Sequence, residues 1–122
     1  MKKTFIVVML LTGCNVPAEK SAYHLTGKTV EYRYGESVYH VTFDSDSTLH
    51  WKAVAGDEVG VMANETYVAD WIDSSRLFIT WGEANGVDVS QVLDFEHGKV
   101  HNHLLHNREA SKGTGDIRIL EK

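Results

Sequence analysis

The chain of 122 residues contains one cysteine, one proline and no excess of basic residues. A single cysteine excludes a disulfide within the chain, and one proline with ten glycines is too few for a disordered or linker-rich protein. Lysine and arginine number 12 against 17 aspartates and glutamates, so the basic surface expected of a nucleic-acid-binding protein is missing. After the N-terminal segment, no window carries apolar residues at helical spacing. The composition indicates one globular domain without long amphipathic helices.

The first residues carry the pattern of a secretory signal. Two lysines precede an apolar run at residues 5–11, FIVVMLL, which is too short to cross a bilayer as a helix. The following Leu11-Thr12-Gly13-Cys14 resembles the bacterial lipobox, in which two small residues precede a cysteine that is acylated and becomes the mature N-terminus. The resemblance implies that residues 1–13 are a lipoprotein signal peptide and that residues 14–24 are a lipidated N-terminus and tether.

Lipidation would place the protein in the cell envelope. Acyl chains such as palmitate on Cys14 contribute about 0.8 kcal/mol per buried CH₂, so a membrane is the expected partner of the N-terminus. Asn15 stands where an aspartate would resemble the inner-membrane retention signal of enterobacteria. The expected location is therefore the outer membrane, facing the periplasm, in a host that has an outer membrane.

After the tether, short runs with period-two alternation are separated by turn residues. Val30, Tyr32 and Tyr34, for example, alternate with polar residues. Seven or eight such runs predict an antiparallel meander, and closure into a barrel would remove its edges. We therefore predict an all-β fold for residues 25–122, a small lipocalin-like (calycin) barrel of about eight strands. Residues 108–115 are predicted to be a polar loop before one last short strand.

The clearest hairpin signal is the segment Leu77–Phe95, in which two alternating runs flank Glu83-Ala84-Asn85-Gly86. Glu83 follows Trp81 by two residues, so a strand that extends this far places the carboxylate on the same apolar face. Burying an unpaired charge is costly. Either the strand ends earlier and Glu83 is a solvated turn residue, or Glu83 points into the barrel.

Several aromatic residues lie on inward faces in the predicted register. They are Tyr32, Tyr34, Tyr39, Trp51, Tyr67 and Trp81. These side chains either fill the core or line a polar cavity together with Glu83, because each buried tyrosine hydroxyl needs a hydrogen-bond partner.

Short motifs that are spread along the chain carry a family resemblance. They are Tyr32-Arg33-Tyr34, Val38-Tyr39, Thr48-Leu49-His50-Trp51 and Trp81-Gly82-Glu83-Ala84-Asn85-Gly86-Val87-Asp88-Val89-Ser90. Their order resembles two related groups of calycin-like barrels, the MoaF-like family and the bacterial phenolic acid decarboxylases, over roughly residues 25–105. Val92-Leu93-Asp94-Phe95 is more similar to the MoaF-like group. The MoaF-like resemblance implies a fold and little chemistry.

The decarboxylase resemblance implies roles for individual residues. In that family, which uses no cofactor, an inward glutamate transfers a proton and tyrosines hold the substrate, and Glu83, Tyr32, Tyr34 and Tyr39 match those positions. The arginine of that family is replaced here by Val61. Because an aliphatic side chain cannot pair with a substrate carboxylate, decarboxylation is not expected. Glu83 would be catalytic only if the protein is an enzyme of another kind.

Histidines are frequent, with seven in 122 residues. His101 and His103 share one face of a predicted strand, and a His-x-His pair is suited to zinc if a further histidine completes the site. If instead Val100 and Leu104 face the core, this pair faces solvent and consists of surface imidazoles.

The sequence favours a lipid-anchored binding module over an enzyme. We expect a small apolar or aromatic ligand inside the barrel, held by Glu83, Tyr32, Tyr34, Tyr39 and Trp81, without a cofactor. The alternatives are a cofactor-free lyase or isomerase with Glu83 as acid or base, a periplasmic metal binder, and a protein that blocks a partner through its barrel mouth.

Overall fold

A computed structural model describes residues 23–120, which form eight β-strands. The strands are β1 (Thr29–Tyr34), β2 (Ser37–Phe43), β3 (Thr48–Ala55), β4 (Met62–Trp71), β5 (Arg76–Gly82), β6 (Asp88–Asp94), β7 (Lys99–His106) and β8 (Glu109–Leu120). The predicted signal peptide, Cys14 and most of the tether lie outside the described residues. No helix within residues 23–120 is long and apolar enough to span a membrane.

Each strand pairs with the next along the chain, and the last strand pairs with the first. All eight ladders are antiparallel, so β1–β8 form a closed barrel. The closing ladder joins residues 29–33 of β1 to residues 116–120 of β8. A closed barrel has no free edge strand on which another chain could pair. The predicted all-β barrel is confirmed.

One end of the barrel is filled with side chains, and we call it the closed end. The inward residues without exposed surface are Val30, Phe43, Leu49, Ile79, Leu93 and Val100. The rings of Phe43 and Tyr67 meet edge-on at a centroid distance of 5.6 Å. The Tyr67 hydroxyl donates a hydrogen bond to the carbonyl oxygen of Ser45 at 2.7 Å, so the deepest tyrosine at this end is satisfied.

The chain crosses the closed end just before β1. The Tyr23 ring stacks on Phe95 at a centroid distance of 5.0 Å and on Trp71 at 6.3 Å. The loops β2–β3, β4–β5 and β6–β7 also lie at this end, because consecutive antiparallel strands alternate their loops between the two ends. The loops β1–β2, β3–β4, β5–β6 and β7–β8 surround the opposite end, which we call the mouth.

The two longest strands change partners along their length. β4 pairs with β3 through residues 62–66 and with β5 through residues 67–71. β8 pairs with β7 through residues 109–116 and with β1 through residues 116–120. In both strands the half nearer the mouth and the half nearer the closed end therefore pair with different neighbours.

The segment 108–115 is not the predicted polar loop. A tight turn at Asn107 and Arg108, with φ of 52° and 70°, leads directly into β8, whose first half pairs with β7 residue by residue. The inward positions of this half are Ser111, Gly113 and Gly115, so the alternation of apolar side chains that marks the other strands is missing. Backbone pairing, and not apolar burial, holds this part of the strand.

Gly115 has no side chain, and the ring of Tyr34 occupies the space beside it. This close contact predicts how a substitution at Gly115 changes stability. A Cβ atom at this position would lie 2.6 Å from the carbonyl oxygen of Arg33 and 2.7 Å from Cδ1 of Tyr34, whereas a Cβ at Gly113 would have no atom within 4 Å. We expect Gly115→Ala to lower the free energy of unfolding by about 1–3 kcal/mol through overpacking. Gly113→Ala, the matched control, should change it little in the same urea titration. Equal losses in both variants would show that contact with Tyr34 is not the cause.

Candidate ligand-binding site

The barrel is hollow at its mouth. A cavity of about 610 Å³, which we call the mouth cavity, extends inward from the β3–β4 and β5–β6 loops. This volume lies within the range of about 300–1,000 Å³ that is usual for small-molecule sites. The residues that line it include Tyr32, Tyr34, Tyr39, Trp81 and Glu83. All five candidate ligand-binding residues named from the sequence therefore lie around one cavity.

A row of aromatic rings from β1, β2 and β3 forms one wall of the mouth cavity. Ring centroids are 6.4 Å apart for Tyr32 and Tyr34, 6.2 Å for Tyr34 and Tyr39, and 5.9 Å for Tyr39 and Trp51. The last two contacts are edge-to-face, an arrangement that the quadrupoles of aromatic rings favour. The wall is thus held by ring–ring contacts across three neighbouring strands.

Two carboxylates face the mouth cavity, one from β4 and one from just beyond the end of β5. Trp81 Nε1–H donates a hydrogen bond to Glu83 Oε2 at 3.1 Å, and Trp51 Nε1–H donates to Glu65 Oε2 at 3.0 Å. Because Tyr67 of β4 is paired with Trp81 of β5, Glu65 and Glu83 each lie two residues farther toward the mouth, Glu65 within β4 and Glu83 in the β5–β6 loop. Both carboxylates are oriented by indole groups, which are neutral and leave the negative charges in place.

A third carboxylate reaches the mouth cavity from the β3–β4 loop. The Tyr39 hydroxyl donates to Glu58 Oε1 at 2.5 Å. The loop is held close to the barrel because Gly60 N–H donates to the Ala53 carbonyl at 2.9 Å and Val61 N–H donates to the Glu58 carbonyl at 2.9 Å. Glu58 is exposed, so it carries its charge at the rim of the cavity.

The β5–β6 loop positions Glu83. Glu83 N–H donates to the Val87 carbonyl at 2.8 Å, and Gly86 N–H donates to the Glu83 carbonyl at 2.9 Å. Asn85 Oδ1 accepts a hydrogen bond from Val87 N–H at 3.0 Å, and Gly86 has φ of 92°, a conformation that favours glycine. Strand β5 ends at Gly82, yet the Glu83 side chain is partly buried and lines the cavity. Of the two interpretations of Glu83, the structure agrees with the inward one.

The crowding of acidic groups shifts pKa values at the mouth. Burial raises the pKa of Glu83, the hydrogen bond from Trp81 lowers it, and the charges of Glu65 and Glu58 raise it further. Burial and the hydrogen bond to Glu58 raise the pKa of Tyr39 to about 12. The Tyr39 hydroxyl therefore remains a donor at neutral pH.

Polar groups lie deeper in the mouth cavity as well. The Tyr32 hydroxyl donates to Gln91 Oε1 at 2.9 Å, and Gln91 Nε2–H donates to Asn102 Oδ1 at 2.9 Å. The Tyr34 hydroxyl oxygen is buried and has no hydrogen-bond partner among residues 23–120. Leaving such a group unpaired costs about 1–3 kcal/mol, so Tyr34 is a donor that a ligand can satisfy. Burial raises the pKa of Tyr34, which keeps its proton in place.

The rim contains the residue that departs from the decarboxylase pattern. Val61 lines the mouth cavity and is 46% exposed. Lys112 is the one lysine or arginine among the described residues that line the cavity. None of the ion pairs within residues 23–120 joins Lys112 to the carboxylates of the cavity. The negative charges of the mouth are therefore not cancelled by a direct partner.

The histidine pair lies away from the mouth cavity. His101 and His103 are exposed on the outer face of β7, where they pair with Thr114 and Lys112 of β8. Within residues 23–120, no three side chains of histidine, cysteine, aspartate or glutamate are arranged to hold a metal ion. Other histidines contact carboxylates instead, at 3.2 Å for His40 and Glu31, 2.9 Å for His50 and Asp44, and 2.9 Å for His97 and Asp94.

A second, smaller depression lies on the outside of the barrel. It has a volume of about 340 Å³ and is lined by residues of β1–β4, among them His40, His50 and Lys52. Both imidazoles are already bound to carboxylates. The mouth cavity is larger and more aromatic, and it is the candidate site.

Sequence reasoning missed several polar residues of the mouth cavity, among them Glu58, Glu65 and Gln91. Glu65 is two residues from the inward Tyr67, and Gln91 is two residues from the inward Leu93. Strict alternation would therefore have placed both side chains on the inward face. A polar residue at an inward position was the available signal. Glu58 lies in a loop, where alternation gives no information.

A small closed β-barrel with a ligand-sized cavity at one mouth is the class that the fold and the site define. The sequence model of the MoaF-like family matches residues 26–118, and the chain belongs to this family. A protein from Burkholderia vietnamiensis that carries a provisional description as a β-lactamase has a crystal structure of the same fold. Its TM-score is 0.73 at 20% sequence identity, over 84% of this chain and 100% of that one, and this identity supports the fold alone. A search of curated proteins finds no significant match.

The raised pKa of Glu83 generates a prediction about stability. For a carboxyl group whose pKa is higher in the folded than in the unfolded state, ionisation opposes folding. The neutral form of Glu83 makes its full contribution to stability below pH 4.5, the ordinary pKa of a glutamate. This contribution is lost as the pH rises through the raised pKa of the folded state. We expect Glu83→Gln to raise Tm by about 1–3 °C at pH 7 and to leave it nearly unchanged at pH 4.

Differential scanning calorimetry at the two pH values measures this difference. Glu36→Gln, at an exposed glutamate in the β1–β2 turn, is the matched control and should have no effect at either pH. A larger gain for Glu83→Gln at pH 4 than at pH 7 would contradict the assignment.

Proposed function

We propose that this protein is a lipid-anchored binding protein of the cell envelope that takes a small aromatic or apolar molecule into the mouth cavity. The observation that supports it best is the contrast between the two ends of the barrel. The closed end is filled by buried side chains, whereas the mouth holds a cavity of about 610 Å³. A barrel that served only as a scaffold would gain packing contacts by filling this space.

The lining of the mouth cavity supports an aromatic ligand. The row Tyr34, Tyr39 and Trp51 offers ring surfaces, and ring pairs contribute about 0.5–1.5 kcal/mol beyond the area they bury. The Tyr34 hydroxyl is an unsatisfied donor, and the carboxylate of Glu83 is an acceptor at the same cavity. A mostly apolar lining with a few oriented polar groups is typical of small-molecule sites.

The position of the N-terminal segment is compatible with a lipid anchor. Tyr23 packs on Trp71 and Phe95 at the closed end, so the tether joins the barrel at the end opposite the mouth. Cys14 precedes Tyr23 by nine residues, which span at most about 32 Å when extended. An acylated Cys14 would hold the closed end toward the membrane, with the mouth open to the periplasm in a host with an outer membrane.

A cofactor-free lyase or isomerase is the second candidate, and Glu83 is the observation that favours it. A partly buried carboxyl group with a raised pKa beside the Tyr39 hydroxyl is suited to proton transfer. Val61, however, offers no partner for a substrate carboxylate, and the nearby glutamates would repel one. Decarboxylation of hydroxycinnamic acids is therefore not expected, and binding without turnover is the better-supported function.

The binding function predicts that a side chain placed in the mouth cavity will block the ligand. Gly113 lines the cavity, and a Cβ at this position would have no atom within 4 Å, so a leucine side chain has open space to occupy. With the neutral fluorophore N-phenyl-1-naphthylamine as probe, we expect saturable binding to the wild type and at least about tenfold weaker binding to Gly113→Leu. Probe emission and quenching of tryptophan fluorescence are the measurements.

Gly113→Ala is the matched control and should bind the probe as the wild type does. Thermal unfolding of both variants establishes that they are folded. Binding that is unaffected by Gly113→Leu would place the ligand elsewhere and contradict the assignment of the cavity. Conversion of aromatic substrates to product, lost in Glu83→Gln, would show that the protein is an enzyme.

The anchoring function predicts acylation of Cys14. Cells supplied with labelled palmitate should incorporate the label into the wild type, which should sediment with membranes. Cys14→Ser should carry no label and remain soluble or unprocessed, and Asn15→Ala should be labelled as the wild type is. A wild-type protein without label would contradict the lipid anchor.

A further inference from the structure

The charges around the mouth cavity are unbalanced. Three carboxylates line it, from Glu58, Glu65 and Glu83, and the one basic residue of the lining, Lys112, occupies an outer-face position of β8. The carboxylates come from the β3–β4 loop, β4 and the β5–β6 loop, which are neighbours in the barrel, so they line one side of the cavity. The cavity therefore attracts positive charge and repels negative charge.

The hydrogen bonds of these carboxylates leave their charge available. Their donors are the indoles of Trp51 and Trp81 and the hydroxyl of Tyr39, none of which is cationic. Glu31, on the outer face of β1, differs because Arg118, His40 and Arg33 all lie within 3.5 Å of its carboxylate. The chain thus pairs a buried outer carboxylate with bases and leaves the cavity carboxylates with neutral donors.

Aromatic rings surround the same space. Tyr34, Tyr39, Trp51 and Trp81 all line the cavity, and the faces of such rings attract cations that lie within about 6 Å. Glu65 is only 8% exposed, so a cation beside it would be partly removed from water, where both electrostatic and cation–π attraction are stronger. Carboxylates and ring faces together are complementary to an organic cation.

The described residues do not suit a bare metal ion. No group of three possible metal ligands is present within residues 23–120, and a cavity of about 610 Å³ is far larger than an ion requires. The volume and the aromatic lining instead fit a cation with an organic body.

We propose that the mouth cavity selects small organic cations, in particular aryl-alkyl ammonium compounds, over neutral and anionic molecules of the same shape. This inference rests on the proposed binding function and adds the chemical class of its ligand. The ammonium group lies between Glu65 and Glu83, and the aromatic body packs against Tyr34, Tyr39 and Trp51.

The test compares three probes with one skeleton and three charges. They are 3-phenylpropylammonium, 3-phenylpropan-1-ol and 3-phenylpropionate, titrated by calorimetry at pH 7. We expect the ammonium to bind at least about tenfold more tightly than the alcohol, because a hydrogen bond between charged groups is stronger than one to a neutral hydroxyl. The carboxylate should bind more weakly than the alcohol.

Charge-removing variants identify the groups responsible. Glu65→Gln and Glu83→Gln keep the side-chain shape, and each should reduce the ratio of ammonium to alcohol affinity several-fold. The double variant should bring that ratio near one. Lys112→Gln removes the single basic residue of the lining, which lies on the outer face of β8, and should change the ratio little. Glu36→Gln, in the β1–β2 turn outside the cavity, should leave it unchanged.

The outcomes separate this inference from the proposed function. Equal affinities for the ammonium and the alcohol, or tightest binding of the carboxylate, would overturn the cation selectivity while leaving a binding protein. An ammonium preference that survives the double variant would overturn the assignment to Glu65 and Glu83. If neither the three probes nor N-phenyl-1-naphthylamine bind to the folded wild type, the binding function fails together with this inference.

Discussion

The pairing of β1 with β8 is the constraint on which the rest of the barrel depends. It joins parts of the chain 87 residues apart, and without it both strands would be open edges. Glu31 reinforces this seam on the outer face, where Arg118 Nε donates to its carboxylate at 2.9 Å and His40 lies at 3.2 Å. The hydrogen bonds from Arg118 and His40 lower the pKa of Glu31 to about 2, so the seam keeps its ion pair in mild acid.

Closure also determines how much space the barrel encloses. Eight strands leave an interior just wide enough for side chains or for one small ligand. In this barrel, side chains fill the closed end and a cavity lies at the mouth. At the closed end, Phe43, Leu49 and Leu93 fill the interior without exposed surface. Toward the mouth, Gly113 and Ser111 occupy inward positions of β8. The small residues at these inward positions leave space for the cavity.

The groups that oppose folding are concentrated at the mouth. Burial raises the pKa of Glu83, and the Tyr34 hydroxyl has no partner within residues 23–120. Natural sequences violate the rules of stable packing mainly at functional sites. The closed end contains no comparable group among the described residues, since Tyr67, its buried tyrosine, donates to the Ser45 carbonyl. This difference links the energetics of the fold to the proposed ligand site.

Local alternation in the sequence was enough to predict the all-β class, the β5–β6 hairpin and the inward faces of Tyr32, Tyr34 and Trp81, because the side-chain period of a strand depends only on neighbouring residues. The same signal failed for the first half of β8, where Gly113 and Ser111 take inward positions and only backbone pairing with β7 marks a strand. The sequence by itself therefore determined the class of fold and the inward faces of the aromatic side chains in its alternating strands. Only the tertiary structure decided that one end is hollow and that carboxylates from a loop, a strand and a hairpin meet there, because those distances depend on the register of pairing between remote strands and on barrel closure.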